Sequence, residues 1–356
     1  MGTNTFLGKQ QNIHYTSKMM KLLSSISIIS GIILVLTVCL CNSMTIDTPK
    51  TSLSKDKNLK SSSSQSTHYK ITNKVMVYNS NANIEKLITL LPVPVCNEYQ
   101  TVKNLTISDG TICNIADSDN SYIFLTVNNT PQKSNSYVLS ETFEIRLYPI
   151  RFDFEKITEI YPYDKQSTEY KRFLGKRGEY VDPTNPHIVK IGNQIWDSSS
   201  NILDYAKKCY EYVASNYQYL NPNTGIHPLA DILKNGGGDC GNLTSIYVSL
   251  LRYKNIPSRH IITIRPNGTY HVWSDFLLEK YGWIPVDVTE KLNNPKGDYF
   301  GYCAGDGIVM SKDLYFPIDL EENKIEYWSM MQTFLYWYWG PGSESSVSAT
   351  HVIEQH

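Results

Sequence analysis

A cysteine between glycines opens the most chemically loaded stretch of the chain, Gly236-Gly-Gly-Asp-Cys-Gly-Asn-Leu-Thr. Directly after it, Leu243, Ile246, Tyr247, Leu250 and Leu251 recur at helical spacing, and Pro257 marks the end of that helix. Cys240 therefore falls in the first turn, where free backbone N–H groups and the helix dipole favour negative charge. A thiol so placed acts through its thiolate, and its own N–H can donate to a developing oxyanion. The glycines leave room for a substrate backbone, which makes Gly238, Asp239 and Gly241 cleft candidates. Asp239 is equally suited to capping the helix.

A thiolate needs a base and the base needs an orienting group. Ser258–Ile264, Tyr270–Leu278 and Trp283–Val288 read as strands, with Pro266-Asn267-Gly268 as a hairpin turn. A second hairpin centred on Glu279 would set His271 directly opposite Asp287, so that the carboxylate holds the imidazole. A slip of one residue would break that pairing. Trp273 is read as core and cleft wall, and His260 and His227, without motif partners, as structural. The second oxyanion donor has only two candidates, Gln218 and Asn235. Among cofactors none is expected: CxxC pairs, a phosphate-cradling glycine loop and an EF-hand loop are all missing from the sequence, so no metal is expected either.

The elements that must position these residues begin after a leader. Lys18 and Lys21 precede an apolar run from Leu22 to Leu40, and Cys41-Asn42-Ser43 supply small residues for a cut, as in an export signal. A run of about 20 apolar residues can also stay as a membrane anchor, and lipid modification of Cys39 or Cys41 is a third reading. Residues 1–43 are thus a signal peptide or anchor, and the polar stretch 44–67 a disordered linker. Residues 68–150 carry short alternating runs such as Lys74–Tyr78 and Phe143–Tyr148, separated by turn formers, and read as an immunoglobulin-like β-sandwich. Residues 151–195 look irregular, and Asn201–Tyr217 reads as a helix whose apolar stripe includes Cys209. The aromatic run Tyr327–Trp339 is expected to supply the last strands of the catalytic sheet, with a carbohydrate platform as the other reading, and 343–356 a flexible tail. Export would leave five cysteines, of which Cys96 and Cys113 are close enough in sequence to bridge. The net charge of -1 gives no basic field for nucleic acid.

Gly-Asp-Cys240-Gly-Asn-Leu, His271-Val-Trp and Tyr281-Gly-Trp-Ile-Pro-Val-Asp287-Val-Thr occur in an order that resembles the transglutaminase-like superfamily. The likeness extends upstream through Arg172-Phe-Leu-Gly and Tyr180-Val-Asp-Pro-Thr-Asn-Pro, covering about 170 to 290, and is greatest for secreted bacterial members with a β-sandwich ahead of the core. It implies an α+β fold: a papain-like core over 151–342, with the Cys-bearing helix packed on an antiparallel sheet, preceded by the all-β sandwich. It implies catalysis by Cys240, His271 and Asp287 through a thioester, acting on peptide or glutamine-type amides by hydrolysis or acyl transfer. The partner expected is a peptide or protein substrate, cell-wall peptide included. The membrane is met only through the N-terminal segment, and the place of action is extracytoplasmic. Two other readings stand beside it: a surface binding protein with a vestigial triad, and a cell-wall peptide hydrolase.

Overall fold

The computed structural model describes residues 60–62, 66–79, 84–128, 135–220, 225–320, 325–340 and 347–356. The leader expected over 1–43 and most of the linker lie outside the described residues. Among those described, no helix is long and apolar enough to cross a membrane.

The chain starts with eight strands: β1 (Lys60–Ser62), β2 (Thr67–Asn79), β3 (Lys86–Val93), β4 (Gln100–Ile107), β5 (Thr111–Asn114), β6 (Ser121–Asn128), β7 (Asn135–Leu147) and β8 (Ile150–Phe152). The middle then alternates short helices and strands: α1 (Thr168–Arg172), α2 (Pro186–Asp197), α3 (Ile202–Asn216), β9 (Gln218–Tyr219), α4 (Leu229–Asn235), β10 (Gly237–Gly238) and α5 (Cys240–Tyr253). It continues with β11 (Ser258–Ile264), β12 (Tyr270–Leu278), β13 (Gly282–Val286), α6 (Val288–Asn293), β14 (Tyr302–Cys303) and β15 (Ile308–Lys312). The last strands are β16 (Phe316–Asp319), β17 (Ile325–Trp328), β18 (Leu335–Trp339) and β19 (Val347–Gln355).

An antiparallel sheet in the order β13-β12-β11-β15 carries α5 on one face. From Gly241 to Arg252 every residue of α5 is buried, as expected of a helix that is covered on all sides by sheet and by α2 and α3. Leu243, Ile246 and Leu250 share one core with Trp273 and Phe276 of the sheet and with Tyr205 and Cys209 of α3.

Ahead of this α+β core stand two four-stranded antiparallel sheets, β19-β2-β7-β4 and β18-β3-β6-β5. Val75, Leu87, Leu91, Ile123 and Leu139 meet between them. The immunoglobulin-like fold expected here is not identified; each sheet takes an edge strand, β19 or β18, from the far end of the chain. The aromatic run expected in the catalytic sheet instead divides: β17 pairs β16, and β18 pairs β3. The stretch expected as a tail contains β19, which pairs β2 over nine positions from Val347↔Asn79 to Gln355↔Ile71. Its Val347 is buried and Ala349 packs on the same core, so apolar burial holds what the Ser-rich sequence after Gly342 suggested was loose. Residues 60–62, expected in the linker, pair β8. The region read as irregular holds α2, capped by Asn185, whose side chain accepts from the His187 N–H, with Pro186 at its first position and Ile188, Ile191 and Ile195 buried. The described cysteines are free thiols. Cys96 lies against Val102 and Cys113 against Thr111, and the bridge considered between them is not formed.

Deleting Val347–His356 would unpair the long ladder of β2 and uncover part of the sandwich core. The expected result is a melting midpoint lower by at least about 5 °C, from a loss of several kcal/mol of apolar burial. An unchanged midpoint in a thermal melt would return the segment to the status of a tail.

Candidate active site

Cys240 is the first residue of α5 and is half-buried. Asp239 caps the helix: its carboxylate accepts from the Asn242 backbone N–H at 3.1 Å and from the Asn242 side-chain amide at 2.8 Å. Burial pushes the Asp239 carboxyl up, against the pull of the backbone donors around it. Asn242 is itself buried and ties the loop before α4 to the helix, accepting from His227 N–H at 2.8 Å and donating to Gly225 C=O at 3.2 Å. Glycine is required just upstream for a close approach rather than for substrate access. At Gly237, with φ +154°, a Cβ would lie 2.0 Å from the Gln218 carbonyl oxygen, and at Gly238 it would lie 2.5 Å from Asn242 Cβ. The space is taken by β9, which pairs β10 in parallel, Gln218 beside Gly237 and Tyr219 beside Gly238.

His271 lies near the start of β12 and is 5 % exposed, and Asp287, 7 % exposed, follows the end of β13. The two side chains meet at 2.6 Å, His271 Nε2 to Asp287 Oδ2. The expected register does not produce this contact. The hairpin pairs Leu278 with Gly282 and Ser274 with Val286, so it centres on Lys280, one residue later than expected. Lys280 takes the left-handed conformation, φ +66°, at the middle of the three-residue loop, with its ammonium over the Tyr161 ring. Asp287 lies beyond the ladder and caps α6, its Oδ1 accepting from Glu290 N–H at 3.0 Å while its own N–H donates to the Tyr299 carbonyl. The cap, not a cross-strand pair, aims Oδ2 at the imidazole.

A carboxylate can only accept, so His271 Nε2 carries the proton of that bond, and the Cys240 sulfur is among the neighbours that act on the ring. Burial alone would depress the imidazole, but the Asp287 charge and hydrogen bond, with the Cys240 sulfur, outweigh it and push His271 up to about 10. The ring is therefore held as an imidazolium at neutral pH. The strand end is steadied by Thr263 Oγ1 and Gln332 Nε2, which donate to the His271 carbonyl at 2.9 and 3.3 Å.

Of the remaining candidates, Gly238 and Gly241 are buried at the helix turn. Trp273 is 4 % exposed and set edge-on to Tyr99 with ring centroids 5.8 Å apart, its indole N–H without a partner. Gln218 and Asn235 are both exposed. Tyr219, which pairs Gly238 through the backbone and is 42 % exposed, has its phenol pushed up by burial and then by the charges of Cys240 and Asp239. Its signal in the sequence was weak, a tyrosine near the end of a helix with no motif around it.

A cavity of about 280 Å³ opens on the far side of the imidazole, lined by His271, Asp287, Trp273, Arg265, Glu290 and Asp306 among others, and not by Cys240. His271, Asp287 and Glu290 place donor atoms within 4.8 Å of one another. Two of those donors are already joined, and Glu290 is paired with Arg265 at 3.3 Å. A cation there would have to break both pairs.

Residues 189–288 match the core of the transglutaminase-like superfamily. Over 236 residues the chain is 25 % identical to an uncharacterized protein of Haemophilus influenzae, a match that covers 56 % of this chain and 63 % of that one, under two thirds of the relative's length. Among solved structures it is similar to a candidate cysteine protease from Cytophaga hutchinsonii, with TM-score 0.53 and 12 % identity over 83 % of this chain and 100 % of the other. It is also similar to the periplasmic domain of TgpA from Pseudomonas aeruginosa, with TM-score 0.38 and 12 % identity over 68 % and 76 %. The first of these likenesses shows a shared fold.

The imidazole gives a pH dependence with a definite sign. Its folded-state pKa, about 10, lies above the ordinary 6.5, so the native chain holds a proton through that window that the unfolded chain releases. The stabilisation is complete below about 6.5 and is lost as pH rises through about 10. Melting midpoints of the wild type should fall across this window. Asp287→Asn removes the attraction that opposes burial, and its midpoints should lack this component. Parallel curves for the two proteins would contradict the assignment.

Proposed function

We propose that this chain is a thiol enzyme of the transglutaminase-like type, with Cys240 as nucleophile, His271 as acid and base and Asp287 as the group that orients the ring. The observation that carries the reading is the 2.6 Å bond from His271 to Asp287 in a buried site where the Cys240 sulfur acts on the same ring. The thiolate attacks an amide carbonyl, and the imidazolium gives its proton to the departing nitrogen, which leaves as ammonia or an amine. The neutral ring then takes a proton from water or from an amine as either attacks the thioester. Water yields an acid, an amine yields a new amide, and each route restores thiolate and imidazolium.

Two donors serve the oxyanion in this reading. One is the backbone N–H of Cys240, at a helix start where the first N–H groups have no partner within the helix. The other is the Tyr219 hydroxyl, on the strand β9 that pairs β10 just ahead of Cys240. The substrate class is a peptide or a glutamine-type side chain. Export is part of the proposal and rests on the basic start, apolar run and small residues before Ser43.

Iodoacetamide should label Cys240 faster than Cys209 and Cys303, whose burial pushes both thiols far up. Cys240→Ala should abolish turnover of peptide amides. Product masses decide the route, since cleavage adds water whereas transfer releases ammonia and joins an amine. Labelling of Cys240 no faster than in the denatured chain would leave a vestigial site. Removing one oxyanion donor costs on the order of 10²–10³ in kcat, so Tyr219→Phe should lower kcat by about that factor with little change in the rate of iodoacetamide labelling. Full activity of this variant would exclude Tyr219 from the oxyanion site.

A further inference from the structure

The turn that carries Cys240 is bordered by an apolar surface that the chemistry above does not use. A Cβ at Gly241 would lie 3.6 Å from Ile226 Cδ1 and 3.7 Å from Met330 Sδ, so these two side chains flank the residue after the nucleophile. Cys240, Ile226, Met330, Tyr180 and Tyr315 are all half-buried around one small core of Val181, Val248, Ile262, Val272 and Leu314. Ser329, next to Met330, accepts from the Tyr315 backbone N–H at 2.9 Å through its carbonyl. Tyr327 then stacks face to face on Tyr315, centroids 4.4 Å apart and planes within 10°. Tyr327 is 53 % exposed.

Two features separate this surface from ordinary packing. Tyr315 has φ +64° and Asp313 has φ +76°, a left-handed backbone that tyrosine rarely adopts and that persists only where its surroundings impose it. Asp313 is pinned by Arg177 at 2.6 Å and Arg252 at 3.0 Å, and the Tyr315 ring lies against Gly178, where a Cβ would come within 2.8 Å of it. The strained turn thus holds the Tyr315 ring between Gly178 and Tyr327, with Tyr327 as the exposed outer face of the stack. The second feature is position: half-buried apolar side chains reach the turn of the thiol, where Ile226 and Met330 flank Gly241 beside the capping carboxylate of Asp239. Strain of this kind clusters at ligand sites, and exposed apolar side chains grouped beside a reactive group mark a binding surface.

We propose that Tyr180, Ile226, Tyr315, Tyr327 and Met330 form a specificity subsite that takes an aromatic or branched apolar side chain next to the amide attacked by Cys240. The assignment rests on Cys240 being the nucleophile. Tyrosine faces suit offset stacking with an aromatic ring, and the thioether of Met330 adapts to side chains of different shape. A sugar is the weaker fit, because Ile226 and Met330 have nothing to offer its hydroxyls.

The probes are iodoacetyl derivatives of phenylalaninamide, leucinamide, glycinamide and glucosamine, which report on the subsite through alkylation of Cys240 and need no turnover. Phenylalaninamide and leucinamide derivatives should label Cys240 about ten-fold faster than the glycinamide one, in the range expected of an apolar pocket. In Tyr327→Ala with Met330→Ala the preference should fall to within about two-fold, and Tyr327→Phe should keep it. Plain iodoacetamide should label all variants alike, which separates a lost subsite from a lost thiol. Equal rates for the phenylalaninamide and glycinamide probes, a preference for the glucosamine probe, or a preference that survives the double substitution would each overturn the subsite. Slow reaction with iodoacetamide itself would overturn the nucleophile on which it rests.

Discussion

Two ionisable side chains with less than a tenth of their surface exposed, His271 and Asp287, must meet each other or give up their charges. Everything in the core is arranged so that they meet. The cost of taking both from water is returned only if the geometry is good and the remaining lone pairs are satisfied. Asp287 meets both conditions by leaving the strand. One of its oxygens faces the imidazole and the other caps α6, while its N–H is held by Tyr299. Removing one partner of such a pair costs about 3–5 kcal/mol, so the same bond that aims the ring also ties β12 to the chain leaving its neighbour β13.

The thiol is held by a different device, a polar strut between sheet and helix. His260 on β11 is buried and pushed down to about 3 by burial, so it is neutral. Its Nε2 meets Ser245 Oγ at 3.1 Å, and Ser245 donates in turn to the Gly241 carbonyl at 3.2 Å. A lone buried histidine without a motif thus sets the height of the first helical turn over the sheet. Arg259 next to it bonds Asp275 at 3.0 Å and covers the Trp283 ring. Tyr99, from the loop between β3 and β4, donates to the same Asp275 at 2.6 Å. The sheet that carries His271 is therefore braced from the sandwich as well as from α5.

Much of this was legible in the residues. The helix after Cys240 and the strands Ser258–Ile264 and Tyr270–Leu278 occur where the sequence indicates, and each is buried along nearly its whole length rather than on one face. The pairing of His271 with Asp287 was anticipated for an incorrect reason: hairpin register depends on which loop residue accepts a positive φ, and Lys280 does so without the glycine or asparagine that would announce it. Helix α2 was missed although Asn185-Pro186 is a start signal and Ile188, Ile191 and Ile195 are spaced for one face. The two proline-containing turns nearby made the whole stretch look irregular. Strands β18 and β19 could not be assigned to a sheet, since a sequence shows alternation but not the partner, and both partners lie more than 200 residues upstream.

That long return has a consequence for the site. The core is inserted between β7 and β18, so the sandwich is completed only after the core has been made. Closure by β19 sets His351 against Tyr270, the residue immediately before His271. Asn73 Oδ1 can only accept, so His351 Nε2 donates to it at 2.6 Å and Nδ1 accepts from the Tyr270 hydroxyl at 3.0 Å. Burial pushes His351 down to about 4, which keeps the ring neutral and this tautomer available. Asn73 then donates to Glu141, which burial pushes up to about 8. The start of the strand that carries His271 is in this way fastened to the interior of the sandwich, and a change that opens the β19 edge is felt one residue from the imidazole.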